Sequence, residues 1–584
     1  MKQSVLWGGL PLLAIVSLTG CIDDKYDLSD IDTTSSFKVK DLVIPVNIES
    51  ITLGDVIKIH DGDQIQEVEL NGKKVYAVNQ SGSFTSNVIS IGKINTPVEQ
   101  PVSEPVTFNP SSAVIPAGRE VKVPFPNKVK RTVIYKAESL DEAIEEITEI
   151  FLDDSVFEIQ FSLPSQPANL SFAITDLEFT LPKGMTVDAV TPNGTYDSAT
   201  GKCTVSRIPI TDGKGKVEIL ISAINLVESG DEIDSEIREL DIVTHIDIEK
   251  ANLSIAASGS NAPVPSSINL DIDYQLADMN ISAISGKVDY NLEGIDIDPV
   301  NLNEIPDVFS QPGTNLVLSN PQIYLSLNNP IASYGLNYQI GLSLESLRDG
   351  EPSKKFELDN GYFEVKHNKG ESGPYNFCLS PEEPSSFPQG FENAQHEEFS
   401  KLGDVLSGNG LPQSIKISLP NTKIYSQTVD HFVLGVDING LKGEWQFLAP
   451  LALASDGNNE SVIIYSKTQD GWSDDEVDAI EIEQLVLTAK VDNNLPVSAE
   501  LSGFPIGKNG NQIGSVKFEP VMIPEGARNY PIELKLTGGK IKNLDGITYT
   551  VKISGDSGEA LSPEQTFTLN DIRVKVSGNY TKEL

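Results

Sequence analysis

The chain has 584 residues, enough for roughly three to five domains at ordinary domain sizes. Hydrophobic residues make up 39% and charged residues 22%, a balance that excludes a disordered chain and calls for packed cores. The net charge of −41, from 84 acidic and 43 basic side chains, repels phosphate backbones and anionic headgroups, so no nucleic-acid partner is expected.

Lys2 gives a basic start, and Val5 to Val16 is an apolar run. It is too short to cross a bilayer as a stable helix and suits the core of a secretion signal. Leu18-Thr19-Gly20-Cys21 follows. These four residues resemble the lipobox of bacterial lipoproteins. The resemblance implies that residues 1–20 are a signal peptide cut between Gly20 and Cys21, and that the Cys21 thiol is acylated. Outer-membrane lipid is then a partner through that sulfur, held by more than one acyl chain because a single chain binds only marginally. Ile22-Asp23-Asp24-Lys25 resembles the acidic tag of surface-exposed lipoproteins of the Bacteroidetes, which implies display at the cell surface. Residues 21–36, with Asp27, Asp30 and Asp32 as well, read as an acidic tether. Asp32-Thr33-Thr34 resembles the short O-glycosylation motif of Bacteroidetes secreted proteins and makes Thr33 the candidate acceptor. Asp154-Ser155-Val156 and Asp197-Ser198-Ala199 share the pattern outside any linker.

Beyond the tether, period two dominates. Phe157, Ile159, Phe161 and Leu163 alternate with polar residues, as do Ile268, Leu270, Ile272, Tyr274 and Leu276, and Ile547, Tyr549, Val551 and Ile553. Such alternation sets one face on a core and one in water, as in antiparallel sheets. Leu170, Phe172 and Ile174 give way to Leu177, Phe179 and Leu181, a slip of one residue that predicts a bulge near Thr175-Asp176. The chain is therefore expected to be all-β, built from tandem antiparallel β-sandwich modules of Ig-like or Greek-key type. Residues 37–135 form an N-terminal β module, 136–255 a helix plus a sandwich, 266–425 a third module and 426–584 the last. Pro97 to Pro126 is proline-rich and favours edge-like extended backbone. Ala256 to Pro265 is small, polar and proline-ended, and reads as the clearest linker.

One amphipathic helix is expected near 140–152. Ser139 and Glu142 form a capping-box pair, and Leu140, Ile144, Ile147 and Phe151 share a face. A shorter helix is expected from Glu397 to Leu406, stopped by Gly408. Leu325-Ser326-Leu327-Asn328-Asn329-Pro330 is echoed by the stretch ending Asp492-Asn493-Asn494-Leu495-Pro496. Either related modules or a shared turn chemistry explains the echo. The first copy is similar to the Asn-Pro strand ends of water-stress β-sandwiches, over too few residues to imply a function.

Sites of chemistry are sparse. Gly555-Asp556-Ser557-Gly558 matches the core of the chymotrypsin-type nucleophile loop, but Glu559 stands where that family has glycine, and none of the five histidines has the family's setting. A hairpin turn is the better reading. His396-Glu397-Glu398 begins like a zinc-protease helix, yet Ser400 occupies the second histidine's place. No catalytic and no metal-ligating residues are assigned. Asp474, Asp475, Glu476 and Asp478, and Asp296 with Asp298, offer oxygens to Ca²⁺ without EF-hand spacing, and solvated charge accounts for them better. No other cofactor is implied. Cys203 and Cys378 either lie buried as small hydrophobes or pair with each other. Trp445 and Trp472, the tryptophans beyond the signal, are the candidate glycan contacts.

The reading that unites these features is a lipid-anchored, surface-exposed envelope lipoprotein with a non-catalytic binding or structural role in adhesion or assembly, and a glycan or protein partner. The alternative is a glycan-binding accessory lipoprotein of a polysaccharide-uptake system. A hydrolase with an unrecognised acidic pair is the remaining class.

Overall fold

The computed structural model describes residues 34–44, 51–60, 62–96, 102–137, 139–230, 233–234, 238–276, 279–293, 295–366, 371–408, 410–455, 460–473 and 475–583. In chain order its main strands are β1 (Thr34–Ile44), β2 (Lys73–Thr85), β3 (Ile144–Ser162), β4 (Leu170–Thr180), β5 (Lys214–Asn225), β6 (Glu239–Ala257), β7 (Ile268–Leu276), β8 (Met279–Asn291), β9 (Gln322–Leu327), β10 (Lys423–Val433), β11 (Lys442–Pro450), β12 (Ile480–Asn493), β13 (Gly546–Gly555) and β14 (Thr566–Glu583). The chain is all-β, with antiparallel sheets of up to ten strands. Tyr375–Ser380 and Gln395–Glu398 are the one parallel pair among the described residues.

The sheets cross the module boundaries expected from the sequence. β2 pairs with β11, joining residues near 80 to residues near 446. Val102–Phe108 pairs with β7, and β1 pairs with β14. Residues 37–135 therefore do not form a sheet of their own; their strands complete sheets built by later parts of the chain. One hydrophobic cluster runs without a break from Ile44 to Val576. The 256–265 stretch is not a spacer either. Ala262 is fully buried, and Ala262–Pro263 pairs with Val114–Ile115. Small polar residues look alike in a linker and in a tight return between strands, so composition alone misreads them.

The 140–152 helix is replaced by strand. β3 starts at Ile144, and Ser139 sits at φ 60°, outside the extended region that an N-cap requires. The error has a clear cause. Opposite β8, the register of β3 slips between Ile144 and Glu146, between Ile147 and Glu149, and between Phe151 and Leu152. The first two slips each add a residue to β3 and the third adds one to β8, so buried Ile144, Ile147 and Ile150 recur every three positions and imitate a helical stripe. The 397–406 helix is also corrected: Gln395–Glu398 is strand, and only a 3₁₀ turn, Ser400–Asp404, follows. The bulge near Thr175-Asp176 is present. Asp176 has φ 52°, and the pairing of β4 with β6 shifts between Thr175 and Glu178.

The Asn-Asn echo marks one turn device used twice. Asn329 and Asn493 are both fully buried. Asn329 Oδ1 accepts from Ile331 N at 3.0 Å, and Asn493 Oδ1 accepts from Leu495 N at 3.1 Å. Their amide nitrogens donate to Leu336 O at 2.9 Å and Val497 O at 3.0 Å. Each side chain satisfies backbone groups where a strand leaves its sheet.

A larger repeat joins three strands. In one unit β8 lies between β3 and β10; in the other β14 lies between β12 and β1. Gly286 of β8 faces Ile147, and Gly578 of β14 faces Ile482. A Cβ at Gly286 would stand 1.9 Å from Glu146 O, and one at Gly578 2.1 Å from Glu481 O. The ladder continues alike, with Asp289 N donating to Ala143 O and Thr581 N donating to Ala479 O, both at 2.9 Å. On the other side, His431 N donates to Ser285 Oγ at 3.2 Å and Asp41 N donates to Ser577 Oγ at 3.0 Å. His431 and Asp41 sit in matching bulges at φ 54° and φ 56°. Along the chain a lead strand, a bulged strand and a glycine strand thus occur twice: β1, β3, β8, then β10, β12, β14. Each lead strand seats on the glycine strand of the other repeat.

Candidate functional site

Gly20, Cys21 and Thr33 lie outside the described residues, so the lipidation and O-glycosylation assignments remain sequence readings. The first described element, β1, begins thirteen positions after Cys21. Its first residue, Thr34, pairs with Glu583 at the far end of the chain.

The seat that holds β1 is formed by β14. Phe37, Val39, Leu42 and Ile44 face the core side, opposite Tyr580, Gly578, Val576 and Val574. The bulge at Asp41 keeps both pairs of apolar residues on that side. Burial fades toward the tether. Ile44 is buried, Leu42 and Val39 are half-buried, and Phe37 is 55% exposed, stacked on Tyr580 at 4.7 Å. In the equivalent seat on β8, Val429 and Phe432 of β10 are both buried. Tyr334 covers the Phe432 ring at 4.6 Å. Beside the β14 seat, Lys540 bonds Glu481 at 3.1 Å and Glu483 at 2.7 Å, and Lys542 bonds Glu481 at 3.1 Å. These lysines hold both carboxyls below the usual glutamate range, Lys540 foremost in each case.

The candidate glycan contacts are not brought together. Trp445 lies in β11 at 3% exposure, a core residue and no platform for a sugar. A Cβ at Gly82 of the paired strand would stand 2.7 Å from its Nε1, so the glycine makes room for the indole. Period two carries this outcome, since Trp445 alternates in phase with buried Gly443 and Phe447. Trp472 is half-buried against the main cluster. Of the other motif-matching serines, Ser155 is buried and Ser198 is exposed in a turn. Cys203 and Cys378 are buried and not joined. Burial pushes the Cys203 thiol up to about 12 and raises Cys378 too, so both stay protonated and inert.

Two open grooves were not legible in the sequence. One, of about 640 Å³, is lined by Glu158, Gln160, Thr191, Pro192, Lys216 and Glu218, among others. Glu158 and Glu218 are cross-strand neighbours, and Lys216 bonds Glu218 and also Glu158 at 3.1 Å. Glu218 first, then Glu158, raises the Lys216 amine above its ordinary value. The groove thus offers fixed carboxylate, ammonium, amide and hydroxyl groups, which suit hydrogen bonding to a polyhydroxylated ligand. The second, of about 410 Å³, is walled in part by Asn71, Lys73, Asn320 and Glu559. Gly558 of the Gly-Asp-Ser-Gly loop closes one side and donates from its N–H to Leu453 O at 3.0 Å. That loop follows β13, but β13 and β14 are not paired with each other, so it is a connection between separate strands and not the hairpin turn expected for it. His396 lies on a strand beside Ser380 O at 3.1 Å. Among the described residues, no group of three or more His, Cys, Asp or Glu is placed to hold a metal ion, and no helix is long and apolar enough to cross a membrane.

No protein-family model matches the chain. No curated protein matches it either. One of the solved structures that it resembles is described as "a putative secreted protein from Parabacteroides distasonis", with 15% identity and a TM-score of 0.36, over 51% of this chain and 90% of that one. A likeness at that level carries no argument about fold or role.

Proposed function

We propose that the chain is a lipid-anchored lipoprotein of the cell envelope, displayed at the cell surface, with a non-catalytic structural role in adhesion or assembly. The observation that carries this reading is the order Leu18-Thr19-Gly20-Cys21, acidic stretch, then a lead strand seated on the last strand of the chain. An anchor at Cys21 loads a strand that is itself tied into the sheet along β14, which suits a display device. The reading needs no cofactor. Mass spectrometry of the natural N-terminal peptide tests it: residues 1–20 should be absent and Cys21 should carry fatty acyl groups. An intact, unacylated N-terminus would overturn the anchor, and complete protection of whole cells from added protease would overturn the surface display.

The 640 Å³ groove favours a second reading, binding of a glycan as an accessory to polysaccharide uptake. Trp445 has no part in it. A glycan array with the intact protein should then give binding that Glu158→Gln and Glu218→Gln weaken together. An array blank across neutral and charged polysaccharides would sink this reading.

A further inference from the structure

We propose that β1 is exchangeable between copies of this chain, so that β1 of one molecule seats on β14 of the next and links them head to tail. This deepens the assembly role proposed above. Within one chain, the lead strand β10 of the second repeat seats on β8, the glycine strand of the first. Junctions between successive repeats are therefore made by handing a lead strand back to the preceding glycine strand. β14 presents the same seat, with Gly578 and Ser577 where β8 has Gly286 and Ser285. In an isolated chain it is filled by β1, whose Asp41 N reaches Ser577 Oγ across 536 positions of sequence. The β1 of a second copy has the same residues and so the same fit.

Two features make the exchange accessible. β1 is held loosely: Ile44 is its one buried residue, against three for β10 (Ile424, Val429 and Phe432). Segments with little buried apolar surface open at low cost and return often. Swapping an identical element loses and regains the same bonds, so concentration and the connecting segment decide the balance. Anchoring in one membrane raises the local concentration of partners. The outer edge of β1 also carries Lys38, Lys40 and the Asp41 bulge, devices that block unregulated pairing of sheet edges. Growth is thereby directed to the β14 seat and away from the free edge.

The test uses the full chain in its own cells. One tagged copy carries Ser36→Cys and a differently tagged copy carries Thr581→Cys, positions that are direct partners in the β1–β14 register. Cys203 and Cys378 are buried and do not compete. After mild oxidation, a covalent heterodimer whose linked peptides span positions 36 and 581 is the expected result. A chain carrying both substitutions, and a second pair, Val43→Cys with Lys575→Cys, show whether the register can be bridged. Closure within single chains with no link between tagged copies overturns the exchange, as does failure of both pairs to close in any form. The acyl content of Cys21, measured on the same sample, separates the two ideas. Acylated chains without interchain links leave an anchored monomer, whereas links between unacylated chains leave the exchange and remove the anchor.

Discussion

β10 on β8 and β1 on β14 are one design in two settings. Both use a serine Oγ to catch the N–H of a bulged residue, and both set a glycine against a carbonyl of the bulged strand. They differ in what covers the lead strand. β10 meets Tyr338–Ile340 on its far side, and its Phe432 lies under Tyr334. β1 is an outermost strand, with Phe37 largely in water. Ladder geometry is thus set locally by bulge and glycine, while the strength of the seat is set by what packs beyond it.

Substitutions in matched pairs would break or sharpen that contrast. The largest effect is expected at the apolar anchors. Phe432→Ala should cost about 4 kcal/mol, whereas Leu42→Ala, half-buried in the equivalent place, should cost about 1 kcal/mol, both read by urea unfolding. Equal losses would mean that β1 is as firmly seated as β10. Gly286→Ala comes next, because its Cβ would meet Glu146 O at 1.9 Å between two flanking strands. A cost of about 3 kcal/mol is expected there, and less than half of that for Gly578→Ala, where the outer neighbour can yield. Ser285→Ala should cost about 1 kcal/mol by stranding the His431 N–H, and Ser577→Ala about 0.5 kcal/mol because water reaches Asp41. A larger loss at Ser577 than at Ser285 would reverse the proposed ranking.

The smallest effect is electrostatic. Lys540 holds Glu481 and Glu483 below the ordinary range, so these carboxylates favour the folded state above the unfolded glutamate value of about 4.3. That contribution is lost as pH falls through their depressed folded values. Lys540→Met should therefore lower Tm slightly at pH 7, and the difference from wild type should close as pH drops below about 4. In the other unit the shifted group is Lys287, raised by its bond to Glu146. Its contribution is present below the unfolded lysine value of about 10.4 and fades as pH rises through the higher folded value. Lys287→Met should then differ from wild type at pH 7 and converge with it in strong alkali. No convergence in strong alkali would mean that the pair does not act through Lys287.

Much of the fold was legible where strands were regular. Phe157 to Leu163 and Ile547 to Ile553 kept strict alternation and were read as strand, and the single slip at Thr175-Asp176 betrayed its bulge. β3 was misread because its closely spaced slips converted period two into period three. The three-strand repeat carries a sequence signal: Ala143-Ile144-Glu145 and Ser285-Gly286 recur as Ala479-Ile480-Glu481 and Ser577-Gly578. It is faint because a bulge needs few particular residues. The grooves had no signal at all, since Glu158 and Glu218 become neighbours only when β3 and β5 pair.

By itself the sequence determined the strand character of the chain, the turn chemistry at Asn329 and Asn493, and the lipobox-like segment at the N-terminus. Each depends on residues close together, through side-chain alternation or local hydrogen bonds. Only the tertiary structure decided which strands are partners, why Trp445 is buried, and that the first strand rests on the last. Backbone hydrogen bonds in a sheet carry no residue identity, so pairing between distant strands is settled by how bulges, glycines and apolar faces fit together across the whole chain.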